Sequence, residues 1–482
     1  MRSMNRHTFL EEFEYDVEED FGLDGLPASW ASGEKSGHRF WGDESSCIAL
    51  PDQGDSQPSS AAAAISPDEA LLASSIGNVI TIYNLRTREK RAELLGSFEK
   101  VWKLHFAPKH DQGFLLVSES SQVQGGSDGL IVFWHLDEEG RCEQKLEPLP
   151  VAHLANQALN AIKPSIKSSH DVDSASPLFD NALQSLTESL QRLDSDLRVN
   201  KLPTLKGHLT TFAPTPFDSA GKRMLVTTNN RTTQHGMRPL PELPAIQVYD
   251  VSTRSPIHTL RGHEDAIMYA AFSPDGRTIA TASWDKMFLL WDAESGDCLH
   301  VIGPTGGQNW SGAWSPDSRH VLLSGMSRQE GVPGTKPTVA VYDRETGQQV
   351  AKLEDERLND WARRFSWCQN GDFVAVASGV QVWIWDPFKN RVICHFQIKI
   401  TDRMLKSFAT VSRVQWVDGG NKLVVVTGDE TVEIWDRVEN VRWRLQRPKG
   451  TQLSSSGSNA FWLKGIQLAV LNGDGNMRFW NL

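Results

Sequence analysis

The residues of this chain that could do chemistry are concentrated in one stretch, TASWDKMFLLWDAESGD, residues 281–297. Asp285 lies in a polar turn, residues 283–286, between two apolar runs, and Trp291 follows six residues later beside Asp292. A carboxylate in such a turn can take part in proton transfer, or it can accept hydrogen bonds in a buried structural network. The two roles differ in the motifs that should accompany them.

The motifs that mark catalytic, cofactor and metal sites do not occur in the sequence. It has no Gly-rich phosphate loop, no nucleophile elbow and no His-Glu-x-x-His pair. His105, His110 and His135 fall within one unit without a carboxylate motif, and residues 473–480 form a hairpin pattern without the acidic ligands of a calcium loop. The sequence therefore predicts no catalytic residue, no cofactor and no metal ligand, and the protein is expected not to be an enzyme.

The Trp-Asp ending of residues 281–297 recurs along the chain. An alternating apolar run closed by an aromatic residue, followed in all but one case by Asp or Asn, ends at eight positions: Tyr83, Trp134, Tyr249, Trp291, Tyr342, Trp385, Trp435 and Trp480. Successive endings are 42 to 51 residues apart, except for one gap of 115 residues. A period close to the roughly 40–45 residues of a four-stranded propeller blade predicts a repeat array.

A turn rich in Pro, Asp, Asn and Gly precedes most of these endings. Examples are FSPDGRTIATAS (272–283), WSPDSRHVLLSG (314–325) and WCQNGDFVAVAS (367–378). Pro fixes φ, whereas Gly and Asp tolerate turn geometry, and a strand rich in Val, Ile, Leu and Ala follows each turn. Each unit is predicted to be strand–turn–strand–turn–strand, so the fold class is all-β.

Residues 261–292, RGHEDAIMYAAFSPDGRTIATASWDKMFLLWD, resemble a repeat of the WD-repeat β-propeller family, with Gly-His, Ser-Pro-Asp-Gly and Trp-Asp in the family's order. The resemblance implies a structural tetrad of hydrogen-bonded residues: His263, Ser283, Asp285 and Trp291. In it the carboxylate accepts from the imidazole, and the hydroxyl bridges to the indole N–H. A buried polar set is tolerated when every member is bonded, so the resemblance favours the structural role.

The repeats predict a single closed β-propeller over residues 58–482. Eight endings predict eight blades, or seven if one unit, the first or the last, is irregular. The final unit ends at its third strand, so its outer strand must come from elsewhere in the chain. The candidate is HRFWGDESSCIAL, residues 38–50, within an N-terminal region of tail and linker, residues 1–57. We expect removal of residues 1–52 to destabilise the ring.

The gap of 115 residues holds one ordinary blade and an insertion, residues 137–200. Ser176-Pro177 is a helix-start signal, and five leucines follow at spacings of three and four: Leu183, Leu186, Leu190, Leu193 and Leu197. The pattern predicts an amphipathic helix in an insertion that joins the third strand of one blade to its outer strand. The leucine seam either packs on the propeller or docks a partner.

The resemblance also places binding elements on one face. Three long loops, residues 118–128, 229–244 and 325–337, are expected to emerge on the face that carries the Gly-His loops. Five residues at or near the starts of inner strands, close to the rim of the central channel, are candidate partner-binding residues: Trp102, Met268, Trp310, Trp361 and Arg363. Aromatic residues and Arg are frequent binding hot spots. The alternative for the indoles is packing between blades.

The charge balance argues against general nucleic-acid or membrane binding. The chain has 60 acidic and 49 basic residues, a net charge of -11, whereas phosphate neutralisation needs clustered Lys and Arg. Residues 9–26 carry eight carboxylates among aromatic and aliphatic residues, which is typical of a disordered binding tail; a solvated tail without a partner is the alternative. Arg363-Arg364 resembles the paired arginines of phosphoinositide-binding propellers, but Phe365 replaces the required Gly, so this ligand is not expected.

Five scattered cysteines, an acidic N-terminus and the lack of an apolar run of about 18 residues predict an intracellular protein, cytoplasmic or nuclear. The sequence as a whole predicts a non-enzymatic scaffold that binds other proteins, as in a multi-subunit complex, through one loop-rich face. The alternatives are a propeller enzyme with a site in the central channel and a phosphoinositide-binding propeller.

Overall fold

The computed structural model describes the following residues: 39–40, 46–49, 61–95, 101–108, 112–120, 129–142, 203–228, 243–328, 335–398, 410–427, 432–438, 441–444, 459–463, 467–471 and 476–481. These residues form β-strands and one short 3-10 helix, Asp418–Gly420. Their architecture is all-β, as the period-two alternation of the sequence predicts.

The strands fall into eight sheets, which we number as blades 1 to 8. Two short strands come first in the chain: β1 (Arg39–Phe40) and β2 (Ser46–Ala49). Blade 1 contains β3 (Ala61–Ile65), β4 (Leu71–Ile76), β5 (Val79–Asn84) and β6 (Lys90–Leu95). Blade 2 contains β7 (Val101–Phe106), β8 (Phe114–Ser120), β9 (Leu130–Leu136) and β10 (Thr204–Lys206). Blade 3 contains β11 (Arg223–Thr228), β12 (Ala245–Asp250) and β13 (Pro256–Leu260).

The remaining five blades follow in chain order. Blade 4 contains β14 (Ile267–Phe272), β15 (Thr278–Ser283), β16 (Phe288–Asp292) and β17 (Cys298–Ile302). Blade 5 contains β18 (Asn309–Trp314), β19 (His320–Arg328), β20 (Thr335–Asp343) and β21 (Gln349–Lys352). Blade 6 contains β22 (Ala362–Trp367), β23 (Val374–Ser378), β24 (Gln381–Asp386) and β25 (Arg391–Gln397). Blade 7 contains β26 (Val411–Val417), β27 (Lys422–Thr427), β28 (Val432–Asp436) and β29 (Val441–Arg444), and blade 8 contains β30 (Asn459–Leu463), β31 (Gln467–Leu471) and β32 (Asn476–Asn481).

The N-terminal strands complete the last two blades. Consecutive strands within each blade are antiparallel neighbours, and β2 adds to β32 as the outer strand of blade 8, from Ser46↔Phe479 to Ala49↔Asn476. Strand β1 adds in parallel to β29 of blade 7. These strands lie in the segment for which the sequence predicts the closing strand. The destabilisation expected on removing residues 1–52 stays a prediction.

Buried apolar side chains between successive blades hold the ring together. One cluster joins blades 1 and 2 through Ile82 and Trp134, and the series continues around the molecule. The last cluster packs Phe479 of blade 8 on Leu72 of blade 1. Since each large side chain contributes about 1.5–3 kcal/mol when fully buried, these interfaces provide the main stabilisation. The predicted β-propeller is confirmed.

Blade 3 is the irregular unit. It has three strands, whereas the other seven sheets have four or five. The place of its inner strand is taken by residues 208–217, which touch β11 at two isolated bridges, His208↔Thr227 and Phe217↔Met224. Pro214 and Pro216 lack the N–H that a ladder needs, so this segment cannot form a regular strand. The irregular unit is thus the third in the chain, and neither the first nor the last, which were the units named for the seven-blade alternative.

The Asp beside each closing aromatic residue has a local role. Asp292 Oδ1 accepts hydrogen bonds from the backbone N–H groups of Glu294 and Ser295, at 2.9 and 2.8 Å. Asp343 and Asn84 make the same pair of bonds at the ends of their own strands. Because this Asx turn reverses the chain into the outer strand, an Asp or Asn follows the aromatic residue in repeat after repeat.

Several predicted elements fall outside the described residues. The insertion lies in the chain between β9 and its partner β10, but its predicted helix and leucine seam are among the undescribed residues 143–202, and the acidic segment 9–26 is also undescribed. Only parts of the three long loops are described; β19 and β20 extend one of them as a paired hairpin up to Arg328↔Thr335. No helix in the described part of the chain has the length and apolar character of a membrane span.

Candidate binding face

A buried polar network crosses blade 4. His263 Nδ1 lies 2.7 Å from Asp285 Oδ2, and His263 Nε2 lies 2.7 Å from Thr281 Oγ1. The Trp291 indole N–H donates to the same Thr281 oxygen at 3.2 Å. Asp285 also accepts from the backbone N–H groups of Glu264 and Met287. Because an ionised Asp285 can only accept, His263 donates to it from Nδ1. The Thr281 hydroxyl also lies 3.2 Å from the Leu289 carbonyl oxygen, to which it can donate.

The structure corrects one member of the predicted tetrad. His263, Asp285 and Trp291 are connected as the resemblance implies, but the bridging hydroxyl belongs to Thr281 and not to Ser283. Ser283 Oγ instead donates to the Asp265 carbonyl at 2.8 Å and accepts from the Asp285 N–H at 3.2 Å. Residues 281 and 283 share one face of β15 because side chains alternate along a strand, and Thr281 is the one within reach of the indole.

The network stabilises the negative charge of the buried Asp285 carboxylate. Burial disfavours the charged form of Asp285, yet the hydrogen bond from His263 and the two backbone N–H donors outweigh it and lower the pKa of this carboxyl below its usual range. Trp291 is 3% exposed and His263 is 2% exposed. Because every member is bonded and His263 and Trp291 are almost fully buried, the set is a structural clamp between the Gly-His loop and β15.

The inner strands share a β-bulge near their starts. Register shifts occur between Val101 and Lys103, between Ile267 and Tyr269, and at the same place in three further blades. A bulge puts two residues of one strand opposite one of its neighbour and re-aims the extra side chain. The bulged residues are, in blade order, Trp102, Met268, Trp310, Arg363 and Ser412. Four of the predicted partner-binding residues thus occupy one equivalent position.

Three of the five predicted partner-binding residues, Trp310, Trp361 and Arg363, meet in a single cluster. The Trp310 ring lies edge-to-face against Trp361 (centroids 4.6 Å apart) and against Trp284 (5.1 Å). Arg363 Cζ lies 4.2 Å from the Trp310 centroid and 5.4 Å from that of Trp361, within cation–π range. We call Trp284, Trp310, Trp361 and Arg363 the tryptophan–arginine cluster. Phe212 packs on its Trp310 side at 6.0 Å.

The cluster is poorly supplied with hydrogen-bond partners. The indole N–H groups of Trp284 and Trp310 and the Arg363 Nε are buried and have no acceptor within the described residues. Two core indoles at the other end of the inner strands do find acceptors. Trp314 Nε1 donates to the Ala271 carbonyl at 3.1 Å, and Trp367 Nε1 makes the equivalent bond to the preceding blade, whereas Trp416 Nε1 is buried without an acceptor among the described residues. Buried polar groups are normally bonded, so their concentration in one cluster marks it as a functional candidate.

The remaining predicted residues lie apart from the cluster. Trp102 is on blade 2 and is 51% exposed, and Met268 is half-buried at the bulge of β14. Sequence reasoning missed Trp284 and Phe212. Trp284 lies in the turn beside Asp285, on the same face of the ring as the bulges. Its position next to Asp285 in the sequence could have predicted that it lies on this face. Phe212 belongs to the irregular inner segment of blade 3, for which no repeat pattern exists.

A cavity of about 750 Å3 lies between the inner strands of blades 4 to 7 and the irregular segment of blade 3. Arg363 and Phe212 form part of its wall, so the tryptophan–arginine cluster is continuous with it. Tyr269, Gly312 and Ser412 line it from three different blades. Among its described lining residues there is one carboxylate, Asp218, and no histidine. No group of three or more His, Cys, Asp or Glu side chains in the described ranges could hold a metal ion.

A second polar set lies at the boundary of blades 2 and 3. Glu119 is bonded to Lys103 Nζ at 3.1 Å, to His208 Nδ1 at 2.8 Å and to the Leu209 N–H at 2.9 Å. Burial opposes ionisation of Glu119, but these donors lower its pKa. His208 belongs to the second Gly-His pair of the sequence, so this set is the counterpart of the blade 4 network, with a carboxylate supplied by β8.

Comparison with known proteins agrees with the fold. A family model described as "WD domain, G-beta repeat" matches residues 254–292, the unit that carries the blade 4 network. The chain is similar to a WD repeat-containing protein 26 homolog of Arabidopsis thaliana, with 28% identity over 41% of this chain and 30% of the relative. It is also similar to pre-mRNA-processing factor 19 of Oryza sativa subsp. japonica, with 32% identity over 28% of this chain and 24% of the relative.

A third relative is THO complex subunit 3 of Arabidopsis thaliana, with 24% identity over 37% of this chain and 50% of the relative. The alignments thus span half or less of each relative's length. Among solved structures, Chaetomium thermophilum Sqt1, bound to the N-terminus of the ribosomal protein L10, aligns with a TM-score of 0.56 and 14% identity, covering 89% of this chain and 98% of that one. At this identity the likeness establishes the fold. The repeat pattern and the ring of eight sheets show a β-propeller, and residues 254–292 match the model of a WD-type repeat.

Proposed function

We propose that the protein is a non-enzymatic scaffold that binds protein partners through the face bearing the tryptophan–arginine cluster. The observation that carries the proposal is the cluster itself: three indoles and a guanidinium packed together at one face, with three buried donors that find no acceptor in the part of the chain that the structure describes. Trp and Arg dominate binding hot spots because they combine large apolar area with donors. The ring behind them is rigid, which lowers the entropic cost of presenting the anchors.

The chemistry of the cluster selects the kind of partner. Edge-to-face indoles offer apolar ring surface, so an aliphatic or aromatic side chain of the partner fits against Trp310 and Trp361. Arg363 offers a guanidinium held in place by cation–π contacts, which suits a carboxylate or a backbone carbonyl. An extended peptide segment of a partner protein supplies both groups at short spacing.

The relatives support this reading by analogy. One is named as a subunit of the THO complex, and the solved Sqt1 structure holds the N-terminus of a ribosomal protein. By the same analogy we propose an intracellular site of action, in the cytoplasm or nucleus, and membership of a multi-subunit complex.

The competing enzyme hypothesis has less support. General acid–base chemistry needs titratable groups that converge on a cavity. The one carboxylate in the described cavity lining, Asp218, is bonded to Arg223 Nε at 3.0 Å, and Glu119 is engaged by Lys103 and His208. These two carboxylates are therefore engaged by structural partners.

Affinity capture with quantitative mass spectrometry tests the proposal. Tagged full-length protein is compared with Trp310→Ala/Trp361→Ala and with a control, Val301→Ala/Val438→Ala, whose two side chains are 63% and 72% exposed elsewhere on the ring. We expect partners recovered with the wild type and the control to be reduced at least about tenfold with the indole variant, the loss typical of removing hot spots. Equal recovery from all three proteins, with unchanged melting temperatures, would contradict the proposal.

A further inference from the structure

Three arginines meet at the cavity between blades 4 and 7. Arg363 and Arg364 lie on β22 and Arg413 lies on the neighbouring β26, and all three line the cavity. Adjacent strand residues normally point to opposite faces, but the bulge between Ala362 and Arg364 lets both arginines of β22 reach the same space. The bulge at the start of β26 places Arg413 in the register of Arg364.

None of these guanidinium groups forms an ion pair within the described part of the chain. Asp360 acts on Arg363 through its charge without forming an ion pair, while Asp218 is paired with Arg223, and Glu119 with Lys103 and His208. Arg364 donates from Nε to the Ser412 carbonyl and packs over Phe212 at 4.9 Å, and Arg413 packs over Phe461 at 5.4 Å. These contacts orient the side chains but supply no negative charge.

The pKa values of the three arginines are lowered, as expected for buried cations that form no ion pair with a described residue. Burial, together with the charges of Arg363 and Arg413, lowers the pKa of Arg364 to about 10. Burial also lowers the pKa of Arg413, and it lowers that of Arg363 although the charge of Asp360 opposes the change. Buried charges in proteins are normally compensated by a partner, and no described carboxylate pairs with Arg364 or Arg413.

We propose that this cavity is an anion-binding site for a compact soluble ligand carrying several phosphate groups, held by Arg363, Arg364 and Arg413. Guanidinium groups bind phosphate oxygens in a bidentate manner, and a polyphosphate delivers the negative charge that three arginines require in a small volume. A cavity of about 750 Å3 is within the range of small-molecule sites. Because the arginines lie on inner strands and not on the outer edges of the blades, a headgroup still embedded in a membrane is a poorer match.

The site shares Arg363 with the tryptophan–arginine cluster, so its test rests on Arg364 and Arg413, which are outside the cluster. Its test uses the full-length protein and inorganic tripolyphosphate, titrated by isothermal calorimetry at constant ionic strength. We expect one saturable site, with the dissociation constant raised about tenfold to a hundredfold by Arg364→Gln and again by Arg413→Gln, since each removes charge-assisted bonds. Arg277→Gln is the matched control, because it removes one positive charge from an exposed turn and leaves the cavity intact. Arg413→Lys keeps the charge and should bind with intermediate affinity.

Three results would overturn the proposal. One is the absence of saturable binding, or equal weakening by Arg413→Gln and Arg277→Gln. Another is flotation of the protein with vesicles containing phosphatidylinositol bisphosphate that tripolyphosphate does not release, which would assign the arginines to a lipid surface. The third is binding of a synthetic peptide of residues 9–26 that depends on Arg364 and Arg413 while tripolyphosphate does not bind, which would assign the cavity to an acidic peptide.

Discussion

Asp285 of the blade 4 network and Trp284 of the tryptophan–arginine cluster are neighbours in one turn. Both regions contain Trp side chains, but they differ in whether the buried donors are hydrogen-bonded. In the network, the Trp291 N–H, the Thr281 hydroxyl and both His263 nitrogens are bonded within the blade. In the cluster, two indole N–H groups and the Arg363 Nε have no acceptor among the described residues. The bonded donors belong to the part that holds blade 4 together, and the three donors of the cluster without a described acceptor support the binding role proposed for it.

The largest expected effect comes from breaking the network at its most buried member. Trp291→Ala should destabilise the protein by about 3–5 kcal/mol, since it opens a cavity between blades 3 and 4 and removes a bonded donor. Trp310→Ala, at a half-buried position, should cost only about 1 kcal/mol. Urea unfolding of the two variants measures the contrast, and equal losses of stability would contradict it.

The identity of the bridging hydroxyl gives the next prediction. Thr281→Val keeps the shape but leaves the Trp291 N–H and His263 Nε2 unbonded, so a loss of about 1–3 kcal/mol is expected. Ser283→Ala should cost less and should leave the Trp291 indole N–H resonance in place. A shift of that resonance in Ser283→Ala but not in Thr281→Val would restore Ser283 as the bridge.

A polar set on blade 6 extends the comparison to pH. Arg357 Nη1 can only donate to His395 Nδ1, 2.9 Å away, so the neutral ring donates from Nε2 to Gln381 at 2.9 Å. Burial and the charge of Arg357 lower the pKa of His395 to about 4. The unfolded chain binds this proton below about pH 6.5.

Stability should therefore fall, on the order of 1 kcal/mol for this group, as the pH drops from about 6.5 to 4. His395→Gln removes the titrating group and should flatten that part of the curve of stability against pH. Urea unfolding at half-unit pH intervals measures it, with the Thr281→Val variant as a control that keeps the slope. An unchanged slope in His395→Gln would contradict the assignment.

For an arginine of the cavity we predict a gain of stability on substitution, whereas the substitutions in the blade 4 network are predicted to cause a loss. Replacing the uncompensated charge of Arg413 by an apolar residue, as in Arg413→Met, should raise the stability of the unliganded protein by on the order of 1 kcal/mol. A structural arginine would show a loss instead. Thermal unfolding in phosphate-free buffer, with Arg277→Met as the control at an exposed turn, distinguishes the two signs.

Much of the fold could be predicted because the repeat signals are local. The turns around residues 273–276 and the aromatic endings such as Trp291 mark strand after strand, and the Asx turn at Asp292 explains why the signal recurs. The choice between Thr281 and Ser283 could not be predicted, because both lie on one strand face and only their distance from the indole separates them.

The candidate site was harder to predict because it depends on contacts between blades. The register of Trp310 and Arg363 was readable from the repeats, but the bulges that bring Arg364 into the cavity leave no mark in the sequence. Phe212 comes from the one unit whose prolines suppress the repeat pattern. A phosphoinositide ligand was not expected at Arg363-Arg364, because Phe365 replaces the required Gly, and the structure puts both arginines on an inner strand.

The claim that cluster and network have separate roles is tested most directly by measuring melting temperature and partner recovery on the same preparations of Trp310→Ala/Trp361→Ala and Thr281→Val. We predict that the indole variant loses its partners while its melting temperature stays close to that of the wild type, and that Thr281→Val melts earlier but recovers the same partners below its transition. Loss of partners in proportion to loss of stability across both variants would contradict the account.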